Sequence, residues 1–561
     1  MPRLQIPQTR WVAGAPGDRT GNIWHSKQID LEKIPGSIVS GESFSSLFQD
    51  ADLTTSVAFV RTAADNTDRW WALGAVMAKS TNTDPESSWA QDAVASSPTD
   101  AESDMIEFRD TLITSSDTDL DELSAGTWTN PWWSSTASGD PAGAALRAAP
   151  HRFAIHAGVL LITDGFEIQS WDNVTRTQPA LSLPRDIEAR WIRSVGDFAY
   201  IGGAAIGDRQ EGAVFAWDRA SSSYNAVYPI GDREALCGFA VRGVLHIITK
   251  RGEIKRFNGQ GFTTLQQFPN LELGMDIADI HPNGVAVDGH LVDVLVRFGA
   301  STGTGFGIDT TRLIDGIWRW NSETNNLYHW ASVVSGAGND TAQLELSAVG
   351  ALVRTQPTQG RYLVGATAFQ SYTGTTSARI FSSDESGSTS RGWFITAKIP
   401  SQNIQRFWRQ LQLQFRRLRA STHVIRVAYR VRDDLNLPVY KTVTWVSTSR
   451  FDLAAADANV VAGNFVEVLA GPNAGALVEV TSKASDTQIT FNPTLNTAST
   501  DARVRFLPFV EIGTVTSQAI QSEIFRVAAR SPFVQFLVEL RGTQVSPELQ
   551  RMVADYQDVK V

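Results

Sequence analysis

Short runs of β-branched and aromatic residues, each cut off by Gly, Asn, Asp or Ser, fill almost the whole chain, and apolar residues scarcely recur at the 3.6-residue spacing of a helix. This excludes a helical bundle or a helix-covered parallel sheet and predicts an all-β fold. In the middle of the chain one theme repeats: an apolar strand, a tight polar turn, a second strand ending in an aromatic, then a loop. Residues 151–171 form one copy. Residues 191–201 with 212–218 form a second, and 236–249 with 252–258 a third. Residues 280–287, 291–298 and 316–321 make another, and 346–352 with 362–366 the last. Residues 105–114 read as a fainter copy, and 56–60 with 70–77 as the earliest, which makes seven. A twisted four-stranded sheet cannot bury both faces alone, whereas a closed ring of such sheets can. Spacings of about 40 to 50 residues therefore predict a β-propeller of seven blades, within a range of six to eight.

From about residue 390 the pattern lengthens into clean alternation. In 407–415 Leu411, Leu413 and Phe415 share one face; 425–431 and 534–540 behave likewise. Half-buried antiparallel strands of a β-sandwich read this way. Residues 463–471, 475–482 and 487–492 are shorter, Gly-bounded and poor in basic residues, which predicts a small β-barrel inserted in a sandwich loop. The expected division is an N-terminal arm over 1–50, a propeller over 51–385, a sandwich over 386–452 and 509–561, and the barrel over 453–508. Residues 442–446 are expected to precede the insertion as sandwich, and 509–513 to resume it.

Cys237 is the only cysteine of 561 residues, so no intrachain disulfide can form. No apolar run approaches the roughly 18 residues of a membrane helix, and the N-terminal residues lack the apolar core of a signal peptide. Folding in a cytoplasm, without a membrane span, is expected. A net charge of −10 argues against nucleic-acid binding, which needs a basic field. That mean hides a polarity: residues 80–146 hold thirteen acids and one Arg, −12, while 391–450 hold twelve bases and two acids, +10.

Catalytic and cofactor motifs do not stand out. There is no nucleophile elbow, P-loop or zinc-protease motif, and no cofactor or metal is expected. Gly303–Gly307 lacks the flanking strand and helix of a dinucleotide site. Asp117, Asp119 and Asp121 begin like a calcium loop, but Glu122 stands where Gly is required and Trp128 where a bidentate Glu is required. The pairs Asp164 with Glu167 and Asp288 with Asp293 are the carboxylates to check for glycosidase chemistry. Trp70, Trp71, Trp318 and Trp320 lie in strand-like runs and read as core. Trp128, Trp132 and Trp133 border Pro131 and a Ser-rich stretch, and are the candidate recognition patch, offering flat rings to a sugar.

The order of segments resembles tail-associated structural proteins of tailed bacteriophages: Lys27–Leu31 with Pro35 and Gly36, then a propeller, then a sandwich ending in Arg530–Gly542 and Ser546–Leu549. The likeness lies in architecture and covers most of the chain. It implies a non-enzymatic virion component of tail-tip, nozzle or adhesion type, assembled in the host cytoplasm with other tail proteins. A polysaccharide-degrading propeller enzyme and a carbohydrate-binding module are the alternatives. The charge polarity suggests a homo-oligomeric ring in which the basic sandwich of one subunit, through Arg416, Arg417 and Arg419, meets the acidic early blades of the next. Host-surface glycan is the further expected partner.

Overall fold

The computed structural model describes residues 3–6, 23–34, 36–42, 44–50, 58–73, 77–80, 89–91, 104–115, 119–134, 146–147, 149–271, 275–298, 314–333, 346–356, 361–368, 377–383, 389–396, 405–431, 440–453, 455–456, 460–468, 476–485, 487–492, 502–543 and 546–558. Every regular element among them is a strand. Seven four-stranded antiparallel meanders follow one another: sheet 1 over 58–91, sheet 2 over 105–134, sheet 3 over 153–182, sheet 4 over 187–229, sheet 5 over 235–267, sheet 6 over 285–331, and sheet 7 over 346–383. The fourth strand of sheet 7 comes from far away: Phe44–Asp50 pairs with Ser377–Ser383.

The turns show why these segments form meanders. The first hairpins of sheets 2, 3 and 5 close over Arg109–Asp110, Ala157–Gly158 and Arg242–Gly243, with φ positive at both central residues. That is the primed turn whose twist matches paired strands. The first strands of consecutive sheets touch in order, and the strand Leu346–Gln356 of sheet 7 touches Ala58–Thr62 of sheet 1. Each sheet thus buries both faces, and a separate apolar cluster fills each gap. Trp71, Met77, Met105 and Leu112 lie between sheets 1 and 2. Ile187, Ile201 and Phe215 belong to the gap between 3 and 4, and Trp318, Trp320 and Phe268 to that between 5 and 6. The arrangement is propeller-like.

Two further sheets pack face to face. One runs, in order, Ile23–Lys27, Thr389–Thr396, Gln535–Thr543, Val424–Arg430, Val510–Val515; the other runs Arg3–Ile6, Leu549–Asp558, Arg406–Phe415, Ser522–Ser531. Leu411, Leu413 and Phe415 turn inward to meet Ile425, Val427, Phe536 and Val538. The same cluster continues into Tyr328, Trp330 and Val364 of sheets 6 and 7, so the sandwich shares a core with the ring.

Two expected boundaries change. The described strands within 1–50 form no separate arm: Arg3–Ile6 and Ile23–Lys27 are sandwich strands, and Phe44–Asp50 completes sheet 7. The barrel begins at Tyr440 rather than 453. Tyr440–Ser447 and Arg450–Leu453 join Phe465–Val468, Leu477–Lys483, Gln488–Asn492 and Ala502–Leu507 in a closed six-stranded barrel. The cause is packing, since Val443, Trp445, Phe451 and Leu453 fill its interior with Phe491 and Phe506. The N-terminal segment passes so close to the sandwich that a Cβ on Gly392 would collide with the Gln28 carbonyl oxygen.

Candidate functional site

The three tryptophans of the expected patch do not share a surface. Trp128 is half-buried between sheets 1 and 2, edge-on to Trp71 at 6.2 Å. Trp133 is 1% exposed and lies between sheets 2 and 3 among Phe108, Leu120, Phe153 and Ile162. Trp132, like Trp128, keeps a partly open ring. It meets Trp171 at 4.6 Å, and the Arg176 guanidinium sits 4.5 Å above it. The reading fails at Pro131, which suggested a loop: Thr127–Ser134 is the outer strand of sheet 2, where an edge position tolerates proline. Trp133→Ala is therefore a core deletion, expected to cost about 3–5 kcal/mol, whereas Trp132→Ala should cost less. Urea unfolding of the two variants separates them.

The three arginines are exposed, but two of them also serve a buried acid of the sandwich. Arg416 Nη1 and Arg419 Nη2 lie 3.1 and 3.3 Å from Glu548 Oε1, whose side chain is only 5% exposed. Arg417 is exposed. Elsewhere in the basic stretch, Arg426 pairs with buried Glu539 at 2.7 Å, and Arg391 approaches the same carboxylate at 3.5 Å. Much of that positive charge thus neutralises the sandwich's own acids. Reversing Arg416 and Arg419 to Glu would set three acids together and should lower the melting temperature; Arg417→Glu should leave it unchanged. Differential scanning fluorimetry distinguishes the two outcomes, and a destabilised Arg417→Glu variant would contradict the assignment.

Arg147 holds both carboxylates of the first pair, whereas those of the second have separate partners. Asp164 accepts from Arg147 N at 2.7 Å and Gln169 Nε2 at 2.7 Å, while Glu167 pairs with Arg147 Nη2 at 2.8 Å. Asp288 pairs with Arg354, and Asp293 with Arg319 at 2.7 Å. Among the described residues no three His, Cys, Asp or Glu side chains are placed to hold a metal ion. Asp117 and Gly303–Gly307 lie outside the described residues. No described helix is long and apolar enough to cross a membrane.

What sequence reasoning missed is a set of buried polar networks at the joints. Where the first strands converge, Asn283 Nδ2 donates to Asp104 Oδ1 (2.6 Å) and Arg193 Nη2 donates to Asn283 Oδ1 (2.5 Å). Arg193 Nε reaches Gly238 O (3.1 Å), and Leu352 N donates to Asn283 O (3.0 Å). Residues of, or leading into, sheets 2, 4, 5, 6 and 7 are thereby joined across the ring. Burial raises the Asp104 pKa, against the pull of Arg152 and Arg193.

A second network fixes the N-terminal segment to sheets 6 and 7. Arg319 spans Asp293 (Nε to Oδ1, 2.7 Å) and Asp30 (Nη1 to Oδ2, 3.1 Å), with its guanidinium 3.9 Å above the Trp330 ring. Tyr362 donates to Asp293 Oδ2 (2.7 Å) and Trp330 Nε1 to Asp30 Oδ2 (2.8 Å). Burial opposes the Arg319 charge, but Asp293 and Asp30 outweigh it and hold its pKa above the ordinary value. A third network ties the barrel down: buried Glu467 pairs with Lys27 of the N-terminal segment and with Arg505. Burial pushes Glu467 up, yet Arg505 and Lys27 prevail and hold it below the usual carboxylate range. Lys27 is lowered to about 8, chiefly by burial.

No protein-family model matches the chain, and no curated protein does. Among solved structures it is similar to a computationally designed protein called Ika8, at 10% identity and TM-score 0.34, covering 60% of this chain and 99% of that one. BBS1N in complex with ARL6DN gives 10% identity and TM-score 0.36, covering 61% and 97%. A chain of the Mitotic Checkpoint Complex gives 12% and 0.34, covering 61% and 93%. At these scores the likenesses carry no argument about what this chain does.

Proposed function

We propose that this chain is a structural component of a tailed-bacteriophage virion, built into the tail, acting in tail assembly and in contact with the host surface. In this reading the seven four-stranded sheets are the blades of one seven-bladed propeller closed by Phe44–Asp50, and the barrel is an insertion in the sandwich behind it. The observation that carries the reading is the welding of the units. The N-terminal segment supplies strands to both the sandwich and sheet 7, and buried ion pairs of Lys27 with Glu467 and of Asp30 with Arg319 fasten it to the barrel and to sheet 6. Ordinary interdomain contacts are polar and mobile; a shared core and buried charge suit a part that must transmit load without shearing. Negative-stain microscopy of virions labelled with antibody to this chain tests it. Label on the tail is expected, and its absence from purified virions sinks the proposal.

Arg416, Arg417 and Arg419 remain the candidate interface residues for a ring of copies, and Arg417 is the one whose reversal leaves Glu548 paired. Association through charge should weaken with salt, because the screening length falls from about 30 Å at 0.01 M to about 3 Å at 1 M. Sedimentation of the parent and of Arg417→Glu at both salt concentrations measures this. An assembly state that never changes removes Arg417 from the interface.

A further inference from the structure

The seam between sheets 4 and 5 gathers four half-open rings, where such rings occur singly or in pairs in the gaps between sheets 1 and 2, 2 and 3, and 3 and 4. Trp71, Trp133, Trp318 and Trp320 are buried where they fill the spaces between sheets. At this seam Phe198, Tyr228, Phe257 and Phe262 are only half-buried. With Tyr200 they form one unbroken row, at centroid distances of 6.1 Å from Phe198 to Tyr200, 5.7 Å to Phe257, 4.7 Å from Phe257 to Tyr228 and 5.5 Å from Phe257 to Phe262. The strands explain the row: Phe257 and Phe262 are cross-strand partners in sheet 5, and the outer strand Ala226–Pro229 of sheet 4 brings Tyr228 to them.

The row also carries polar groups. Tyr200 and Tyr228 lie near enough to interact electrostatically; burial and then this neighbour raise the Tyr200 pKa. Neither hydroxyl has a hydrogen-bond partner among the described residues. Two residues along the same face, exposed Thr264 donates to Glu253 Oε1 at 2.9 Å, and Glu253 Oε2 pairs with Lys255 Nζ at 3.0 Å. Half-open rings, adjacent unpartnered hydroxyls and a flanking carboxylate match a pyranose: its C–H face lies against a ring while its hydroxyls exchange hydrogen bonds at the edge. An acyl chain would leave the hydroxyls unused.

We infer that the seam between sheets 4 and 5 is a saccharide-binding site, with Tyr228 and Phe262 as stacking platforms and Tyr200 and Tyr228 as hydrogen-bonding edge. The inference rests on the host-contact part of the function proposed above and names the surface that makes the contact.

The test uses the full chain on an array of purified bacterial capsular and lipopolysaccharide glycans, followed by titration of the strongest binder. Tyr228→Ala should weaken binding about tenfold or more. Tyr228→Phe should retain part of it, and Trp132→Ala, on another seam, should retain all. Phe262→Ala reads the same contact should Tyr228→Ala fail to fold by circular dichroism. Binding to none of the glycans, binding unaffected by Tyr228→Ala and Phe262→Ala, or equal loss in Trp132→Ala overturns the site. Virion labelling is independent: label on the tail with no glycan bound refutes the site alone, whereas glycan binding by a chain absent from virions refutes the virion reading alone.

Discussion

Replacing Arg319 with Met should destabilise the fold by about 3–5 kcal/mol, the usual consequence of removing one partner from a buried ion pair. Arg319 is the one cation in contact with both Asp30 and Asp293 among the described residues, and both carboxylates are buried. Met fills similar volume against Trp330 but leaves two acids out of water without a counter-charge. The hydrogen bonds from Tyr362 and Trp330 soften that penalty without supplying charge. The effect should therefore be mostly electrostatic, and a triple variant that also carries Asp30→Asn and Asp293→Asn should recover much of the loss, because neutral amides cost far less to bury. Urea midpoints of the parent, single and triple variants measure this. A single variant within about 1 kcal/mol of the parent would contradict Arg319 as the counter-charge of two buried acids, whereas a triple variant as stable as the parent would show that the network adds nothing net, a known outcome for buried pairs.

The Asp293–Arg319 pair was legible in principle. Leu291–Val296 and Gly316–Asn321 are apolar strands interrupted by one acid and one base, and an antiparallel hairpin puts those residues opposite each other. The alternation that turns Leu411, Leu413 and Phe415 inward was legible for the same local reason. What could not be read depends on distance along the chain. Lys27 and Glu467 are 440 positions apart, and the pairing of Phe44–Asp50 with Ser377–Ser383 leaves no local trace. The barrel boundary failed for another reason: Tyr440–Ser447 carries the period-2 pattern that a sandwich strand would carry, and only closure of the sheet distinguishes them. Among the tryptophans, a Ser- and Pro-rich flank was a poor guide to exposure because outer strands admit both residues. The half-open rings of sheets 4 and 5 lie in strand runs that look no different from those whose rings are sealed.

Deleting residues 440–507 and bridging the gap with a short Gly/Ser linker should lower the melting temperature of the chain, and replacing Lys27 by Met as well should recover part of that loss. The strands on either side of the barrel are antiparallel neighbours, with Ala428 opposite Glu511 and Tyr429 opposite Val510. Paired residues in such a ladder lie about 5 Å apart, so the bridge closes without strain. The barrel has its own apolar interior, but Phe465, Leu477 and Leu507 also pack on Trp393, Ile395, Ala428 and Leu537 of the sandwich, so its removal uncovers that face. The deletion also removes Glu467 and Arg505, and Lys27 then loses its carboxylate. Arg426 loses its bond to Leu477 O (2.6 Å) but retains Glu539. The simple deletion should therefore melt well below the deletion with Lys27→Met. In the intact chain the junction also sets an acid limit. Glu467 has a depressed pKa in the folded state, so its stabilisation is complete above the ordinary value of 4.5 and is lost as pH falls through the folded pKa. Thermal melts followed by circular dichroism read both effects. If the two deletions unfold alike, the barrel is integral to the sandwich; if they melt alike at the parent's temperature, the Lys27–Glu467 pair is not what fastens it.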